Sequence, residues 1–267
     1  MLALAVLTYF TRNVVSAQSE SSVSPEACAG CHREIWETYR RTGMARSFYR
    51  PTPQNTVEDY TKKNTFYHQA SDSYFTMLRR DGKYYQRRYQ MDLDGKQVNV
   101  MEKQIDFIMG SGNHVRAYLH RTARNTLVEL PLAWYAEKGG YWAMNPGYDR
   151  PNHDGFRRAI TYDCMFCHNA YPEIPAGNDQ PFAEPVYAGS LPEGIDCQRC
   201  HGPGRKHAQL AKTAGAKLED IRNSANALYE TFTPDQKKIA DARMASVISP
   251  RPDAQGGTGG GDPPHYP

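Results

Sequence analysis

The chain is 267 residues long, and 39% of its residues are hydrophobic. Its mean hydropathy is −0.73, so the apolar core that its own side chains can build is thin for its length. Lysine and arginine number 32 against 29 acidic residues, a net charge of +3, which argues against a dedicated nucleic-acid binder. No apolar run approaches the roughly 18 residues that span a bilayer. The composition therefore excludes a polytopic membrane protein and leaves a peripheral association with a membrane open.

The first ten residues, MLALAVLTYF, form an apolar stretch of the length found in secretory signals. Residues 15–17, Val-Ser-Ala, supply a small-x-small cleavage site, and a polar run follows. This pattern predicts a signal peptide over residues 1–17 and a periplasmic or otherwise exported protein. No lysine or arginine precedes Arg12, so the usual positive n-region is missing. A different start of the chain or a short uncleaved anchor remains an alternative.

Residues 25–41 predict the first helix, because Pro25 suits a first helical turn and the apolar side chains that follow recur on one face. Residues 48–64 are polar and contain proline, which indicates a loop.

In the segment from 65 to 107, apolar and polar residues alternate, and tyrosine and phenylalanine are frequent. Turn signals occur at Asp81-Gly82 and Asp94-Gly95. It predicts an antiparallel meander with strands near 65–69, 73–80, 83–91 and 96–105. A second hairpin is predicted near 115–131, turning at Arg124-Asn125. We therefore expect an antiparallel β insert over about residues 65–131.

The remainder of the chain contains segments of different composition. Residues 145–203 are rich in glycine, proline and asparagine, so we expect little regular structure there beyond short helices at two cysteine motifs. Residues 205–247 have a helical pattern. The predicted organisation is a domain over 18–215, a helical extension over 216–249 and a disordered tail over 250–267.

All six cysteines fall in C-x-x-C pairs, and a histidine follows each pair directly. The pairs are Cys28 and Cys31, Cys164 and Cys167, and Cys197 and Cys200, and the histidines are His32, His168 and His201. C-x-x-C-H is the attachment signature of c-type haem. The two thiols add to the vinyl groups of the porphyrin, and the imidazole becomes the proximal ligand of the iron. The sequence therefore predicts three covalent haem c groups.

Three other interpretations of the cysteines compete with haem. The four later cysteines have the spacing of a zinc ribbon, all six could form a disulfide framework, and each pair could be a thioredoxin-like redox site. None of these requires the three histidines. The chain has 9 histidines in 267 residues, so three at these positions by chance has odds of roughly one in 25,000, which favours haem.

The sixth iron ligand decides between an electron carrier and an enzyme, because a haem with an open position also binds small molecules. His207 follows His201 after a Gly-Pro-Gly turn, which lets the chain pass close to a haem and then offer an imidazole. His114 also follows a glycine-rich segment, and His120 lies six residues later on a predicted strand. These are candidate distal ligands, and the alternative for each is an ordinary surface histidine.

Met44 is a further candidate distal ligand, twelve residues beyond His32. A methionine is more often core filler. As an iron ligand it would raise the potential of that haem relative to a haem with two histidines.

The runs CAGCHREIWETYRRTGMARSF and CHGPGRKH resemble the multihaem cytochromes c. Among these, the chain is similar to the tetrahaem cytochrome c / c-prime family linked to hydroxylamine oxidation, whose relatives form the N-terminal part of longer tetratricopeptide-containing proteins. The resemblance covers about residues 25–210 and implies a multihaem cytochrome c fold. In that family a histidine ligand often follows the first motif helix, and Met44 occupies that place here. Family members usually carry four or more haems, whereas this chain has three motifs.

Together these features predict an α+β chain with much irregular structure, in which short haem-bearing helices accompany the antiparallel β insert. We expect an exported c-type cytochrome that passes electrons through three haems to redox partner proteins. No catalytic residue is assigned, since electron transfer needs neither an acid nor a base. The alternative is a reductase or oxidase of a small nitrogen or sulfur compound with one open haem site. The side chains that could assist it are Arg116, Tyr118, His120 and Arg121.

Overall fold

The computed structural model describes residues 22–178, 180 and 182–248. The predicted signal over 1–17 and the predicted tail over 250–267 lie outside the described residues. The chain divides into two compact units, one ending at Ala208 and one beginning at Gln209. The described part is mixed α and β, with six α-helices and two antiparallel sheets. None of its helices is both long enough and apolar enough to cross a membrane.

The second and third cysteine motifs lie within helices, and the first motif spans the break between two helices. The six helices are α1 Glu26–Ala29, α2 Arg33–Tyr39, α3 Tyr162–His168, α4 Cys197–His201, α5 Arg205–Glu230 and α6 Pro234–Ile248. The short helices predicted at the second and third motifs are confirmed.

The prediction of one continuous helix over 25–41 is wrong, because the chain leaves helical geometry inside the first motif. His32 has φ −121° and ψ 47° and caps α2, whose Trp36 amide donates to the His32 carbonyl at 2.9 Å. Gly30, which has low helix propensity, lies just before this break.

The first sheet is the predicted meander. Its strands are β2 Thr65–His68, β3 Ser73–Arg80, β4 Lys83–Met91 and β5 Gln97–Ile105, paired in that order and all antiparallel. Asp81 and Gly82 both have positive φ, which matches the twist of a tight two-residue hairpin turn. The strand bounds agree with the predicted ones to within two residues.

The second sheet contains more strands than the predicted hairpin. Its members are β1 Phe48–Tyr49, β6 Phe107–Met109, β7 Val115–Arg121, β8 Leu127–Glu129, β9 Leu132–Tyr135 and β10 Tyr141–Met144. Their order is β1-β6-β7-β9-β10, and β8 pairs with β7 beside this path. The hairpin of β7 and β8 confirms the prediction near 115–131. The other strands of this sheet were not predicted.

Two clusters of buried side chains hold the first unit together. One joins the two sheets through large aromatic residues, among them Phe75, Tyr84, Tyr118 and Trp142. The other packs Phe107 and Leu119 of the second sheet against residues 160–191. Met165, the first inner residue of the second cysteine motif, belongs to this second cluster and is buried. The second motif is therefore anchored to the β insert through its own apolar side chain.

Candidate haem site

The three motifs present their thiols in the same way. In each pair the first cysteine is half-buried and the second is exposed, and all six thiols are free. His168 ends α3 and His201 ends α4, whereas His32 is the N-cap residue of α2. The cysteines therefore stay available at the surface beside a supported imidazole, which is what covalent haem attachment needs.

Gln198, an inner residue of the third motif, connects this motif by hydrogen bonds to the segment that precedes the first motif. Its Nε2 donates to the carbonyl of Val23 at 2.8 Å, and its Oε1 accepts from the amide of Val23 at 2.9 Å. The same oxygen accepts from the amide of Gly204 at 3.0 Å. The side chain is buried, so its polar atoms are satisfied by backbone groups.

Arg199, the next residue, ties the third motif to the end of the second. Its Nε and Nη2 donate to the carbonyl of Asn169 at 3.3 and 3.1 Å, and Nη2 also donates to the carbonyl of Ala170. The guanidinium lies 4.9 Å from the ring centroid of Phe166, an inner residue of the second motif. The carbonyls at the end of α3 carry partial negative charge, which the guanidinium compensates.

The first and third motifs are also in contact. The pKa of the Cys28 thiol is raised, first by burial and then by the charge and hydrogen bond of the Cys197 thiol. These two thiols, each the first of its pair, are therefore neighbours. Tyr39, at the end of α2, donates its hydroxyl to the carbonyl of Ile195 at 2.8 Å. The segment entering the third motif is thus held against the helix of the first.

A hydroxyl joins the second motif to the chain after the first. Ser47 donates from Oγ to the carbonyls of Met44 and His168, each at 2.7 Å. The second motif is further fixed by Asn169, whose Nδ2 donates to the carbonyl of Pro192 at 2.5 Å. All three motifs, which are separated by up to 172 positions in the printed sequence (28 to 200), therefore come together in one region of the first unit.

The imidazoles of His32 and His207 lie close to each other in this region. Their ring centroids are 6.3 Å apart, and the ring planes are inclined by 18°. A metal ion held axially between two imidazoles, with each nitrogen about 2 Å away, separates the ring centroids by roughly 6 Å. The centroid distance between His32 and His207 is therefore compatible with two imidazoles that bind one metal ion. His207 was predicted as a distal ligand without a named partner, and His32 is the motif histidine whose ring contacts it within the described residues.

The other two motif histidines differ in burial. His168 is half-buried, and its Nδ1 is enclosed without a hydrogen-bond partner. Burial lowers the pKa of His168, which favours the neutral imidazole that metals bind. His201 is exposed at the end of α4.

The remaining candidate distal ligands lie elsewhere on the first unit. His114 is exposed directly before β7. His120 is half-buried on β7, and its Nδ1 lies 2.9 Å from Asp106 Oδ2 and 3.0 Å from the carbonyl of Gln104. Met44 is 53% exposed. Among the described residues, no ring contact joins His114 or His120 to a motif histidine.

Sequence reasoning missed the residues that bring the motifs together, which are Ser47, Gln198 and Arg199. The inner positions of C-x-x-C-H accept many residue types, so their identity gives no signal by itself.

Across the described residues, no group of three or more histidine, cysteine, aspartate or glutamate side chains is arranged to hold a metal ion. Comparisons with protein-family models, with curated proteins and with solved structures find no match for this chain.

Proposed function

We propose that the chain is an exported c-type cytochrome that transfers electrons through three covalently bound haems. The observation that carries the proposal is the meeting of three C-x-x-C-H motifs in one region, with a second imidazole, His207, opposite His32 at the separation of two axial ligands. Haem accounts for the motif histidines and for the thin apolar core, because large apolar macrocycles add core that the side chains lack. A zinc ribbon of four cysteines or a disulfide framework gives His207 no role.

The role of the protein is to attach, space and enclose the cofactors. A bound haem supplies the one-electron couple of its iron. Six thiols would anchor the macrocycles, and His32, His168 and His201 would each bind an iron. Gln198 and Arg199 set the distances between motifs through hydrogen bonds to backbone groups. The neighbouring thiols Cys28 and Cys197 bring two attachment points together, so electrons need cross only a short gap between the first and third haems.

The test is the number of covalent haems per chain. The full chain is expressed in a bacterium that carries the haem c attachment machinery, and haem that survives acid–acetone extraction is counted as the pyridine adduct. We expect three haems per chain in the natural sequence, and two when both cysteines of any one motif are replaced by alanine. A purified, folded chain with no covalent haem would overturn the proposal.

Carbon monoxide distinguishes the electron carrier from the alternative enzyme. A dithionite-reduced spectrum that carbon monoxide leaves unchanged indicates filled coordination at all three irons, which supports an electron carrier. A Soret shift on part of the haem indicates an open site, which would favour the reductase or oxidase.

A further inference from the structure

Helix α5 is 26 residues long, and among the described residues none of its side chains is buried. Helices in proteins owe most of their stability to the packing of an apolar face rather than to intrinsic propensity. Most of α5, from Gln209 onward, belongs to the second compact unit. Within this unit the apolar face of α5 lies without the cover that would stabilise it.

The apolar side chains of this face recur at intervals of three and four residues in strict alternation. They form what we call the α5 seam, which consists of Ala211, Ala214, Leu218, Ile221, Ala225 and Leu228. All six are exposed, and Leu218, Ile221 and Leu228 are 66%, 64% and 59% exposed. This alternation is the heptad pattern, in which side chains at the a and d positions pack between two supercoiled helices. The α5 seam therefore has the spacing that a second helix covers.

Helix α6 contacts the last turn of α5 and leaves the α5 seam open. Tyr229 donates its hydroxyl to Asp241 Oδ1 at 2.9 Å, and Lys237 Nζ lies 4.9 Å from the centroid of the Tyr229 ring. Lys237 also pairs with Glu230 at 3.1 Å. Since Tyr229 and Glu230 both lie outside the seam, α6 is not the helix that packs along it.

The sequence that follows α6 offers no second seam. Positions 249–267 read SPRPDAQGGTGGGDPPHYP. They contain no leucine, isoleucine, valine, phenylalanine or methionine, so they have no apolar heptad to pair with α5. The helix face that matches the α5 seam in length and spacing is the same seam on a second copy of the chain.

The cations beside the seam disfavour a parallel pair. Lys217 and Arg222 lie at the g and e positions, which flank the a and d positions and set the orientation of a coiled coil. In a parallel pair Lys217 would lie beside Arg222 of the second copy and repel it. Arg222 pairs with Glu219 in its own helix, whereas Lys217 forms no ion pair with a described carboxylate. In an antiparallel pair the g positions of both helices share one side and the e positions share the other, which separates the two cations.

The two halves of α5 within the second unit also differ in charge. Residues 209–218 carry two lysines and no acidic side chain, and residues 219–230 carry three carboxylates and one arginine. The net charges are therefore +2 and −2, and the second becomes −1 when Lys237 of α6, which pairs with Glu230, is counted. An antiparallel pair places each positive half beside a negative one. Such complementarity selects an orientation more than it adds affinity.

We propose that two copies of this chain associate through the α5 seam as an antiparallel pair of helices. An alignment with Leu218 opposite Leu228 of the second copy also places Ile221 opposite Ala225 of the second copy, so each large side chain meets an apolar one. The seam is short and half of it is alanine, so the interface is small and the dimer is weak and reversible. This inference goes beyond the proposed function and needs no haem chemistry.

The test is sedimentation equilibrium of the purified, haem-loaded full chain over a series of concentrations. We expect the apparent mass of the natural sequence to rise with concentration from one chain toward two. Leu218→Gln combined with Leu228→Gln places amides in the seam at little cost in helix propensity, and this variant should sediment as one chain throughout. Ala216→Gln is the matched control, because Ala216 is exposed on the opposite side of α5. Circular dichroism at low concentration checks that all three proteins keep their helices.

Charge reversal and salt test the orientation. Lys212→Glu combined with Lys217→Glu makes both halves of α5 negative, so the antiparallel dimer should weaken. Adding Glu219→Lys and Asp220→Lys makes the second half positive and should restore the dimer. Raised salt should weaken the dimer of the natural sequence, because it screens attraction between exposed charges.

Three results would overturn the inference. A natural sequence that sediments as one chain at every concentration would show that the seam does not associate. A dimer that persists in the seam variant as it does in Ala216→Gln would place the interface elsewhere on the chain. A dimer that salt strengthens, or that the combined charge reversal leaves weak, would contradict the antiparallel orientation. None of these measurements counts haem, so the proposed function is tested separately.

Discussion

The guanidinium carbon of Arg199 lies 4.0 Å from the ring centroid of Tyr171. The third motif therefore contacts the segment that follows the second motif. This distance is well within the roughly 6 Å over which a guanidinium is attracted to the face of a tyrosine ring. Together with the bonds to the carbonyls of Asn169 and Ala170, it fixes the spacing of two motifs by one side chain.

Replacing Arg199 by glutamine is expected to lower the free energy of unfolding by about 1–3 kcal/mol, because the cation–π contact and the carbonyl bonds are lost together. Urea unfolding of the haem-loaded protein measures the change. Arg222→Gln is the control, since its side chain is 65% exposed and, within the described residues, its ion pair is with Glu219 in α5. Equal midpoints for the two variants would mean that Arg199 does not hold the motifs together.

Replacing His207 by alanine is expected to open one iron, since the geometry opposes this imidazole to His32. One haem in three should become high-spin and bind carbon monoxide, which the visible spectrum of the reduced protein reports. The same measurement on His114→Ala tests the competing candidate. If His114→Ala opens a haem and His207→Ala does not, the assignment of His207 is wrong.

The ion pair between Glu58 and Arg116 is buried and shares Glu58 with the hydroxyl of Tyr118, which donates at 2.5 Å. Glu58→Gln removes one charge and leaves the other enclosed, so we expect a loss of about 3–5 kcal/mol in unfolding free energy. Glu37→Gln breaks the exposed pair with Arg33 and should cost at most about 0.5 kcal/mol. Denaturant titration of both variants measures their unfolding free energies. Similar losses in the two variants would contradict the prediction.

His153 is expected to make the fold sensitive to acid. Its pKa is lowered, first by burial and then by His68 and Arg88, with a smaller contribution from Arg158 and an opposing one from Asp154. The unfolded chain therefore binds a proton at this position at higher pH than the folded chain does. Stability is retained above the ordinary histidine pKa of about 6.5 and is lost as the pH falls below it.

The measurement for this prediction is the difference in unfolding free energy between pH 8 and pH 5. His153→Gln removes the titrating group, so this variant should lose less stability over the interval than the natural sequence. An equal loss in both proteins would show that His153 binds protons alike in the folded and unfolded states.

The meander could be predicted because its signals are local. Alternation sets each strand, and Asp81-Gly82 supports a turn that needs positive φ at both residues. The strands β9 and β10 were missed although Gly139 and Gly140 stand between them. Leu132 and Ala133 are both buried, so β9 does not show the alternation of a strand with one face in water.

The residues of the candidate site also fall into those that local sequence predicts and those that it does not. The spacing of cysteine and histidine identifies the attachment residues, since that chemistry requires neighbours in sequence. The pairing of His32 with His207 and the hydrogen bonds of Gln198 join residues far apart in the chain, and nothing in the local pattern specifies them.

The bond between Val23 and Gln198 also sets an order of events during synthesis. The two residues are 175 positions apart. At about 5–20 residues per second, the ribosome completes Gln198 on the order of ten seconds after Val23. For that interval the first motif has no third motif to pack against, and its thiols stay open to whatever enzyme modifies them. The tertiary contacts between the first and third motifs therefore cannot form before the third motif has been synthesised.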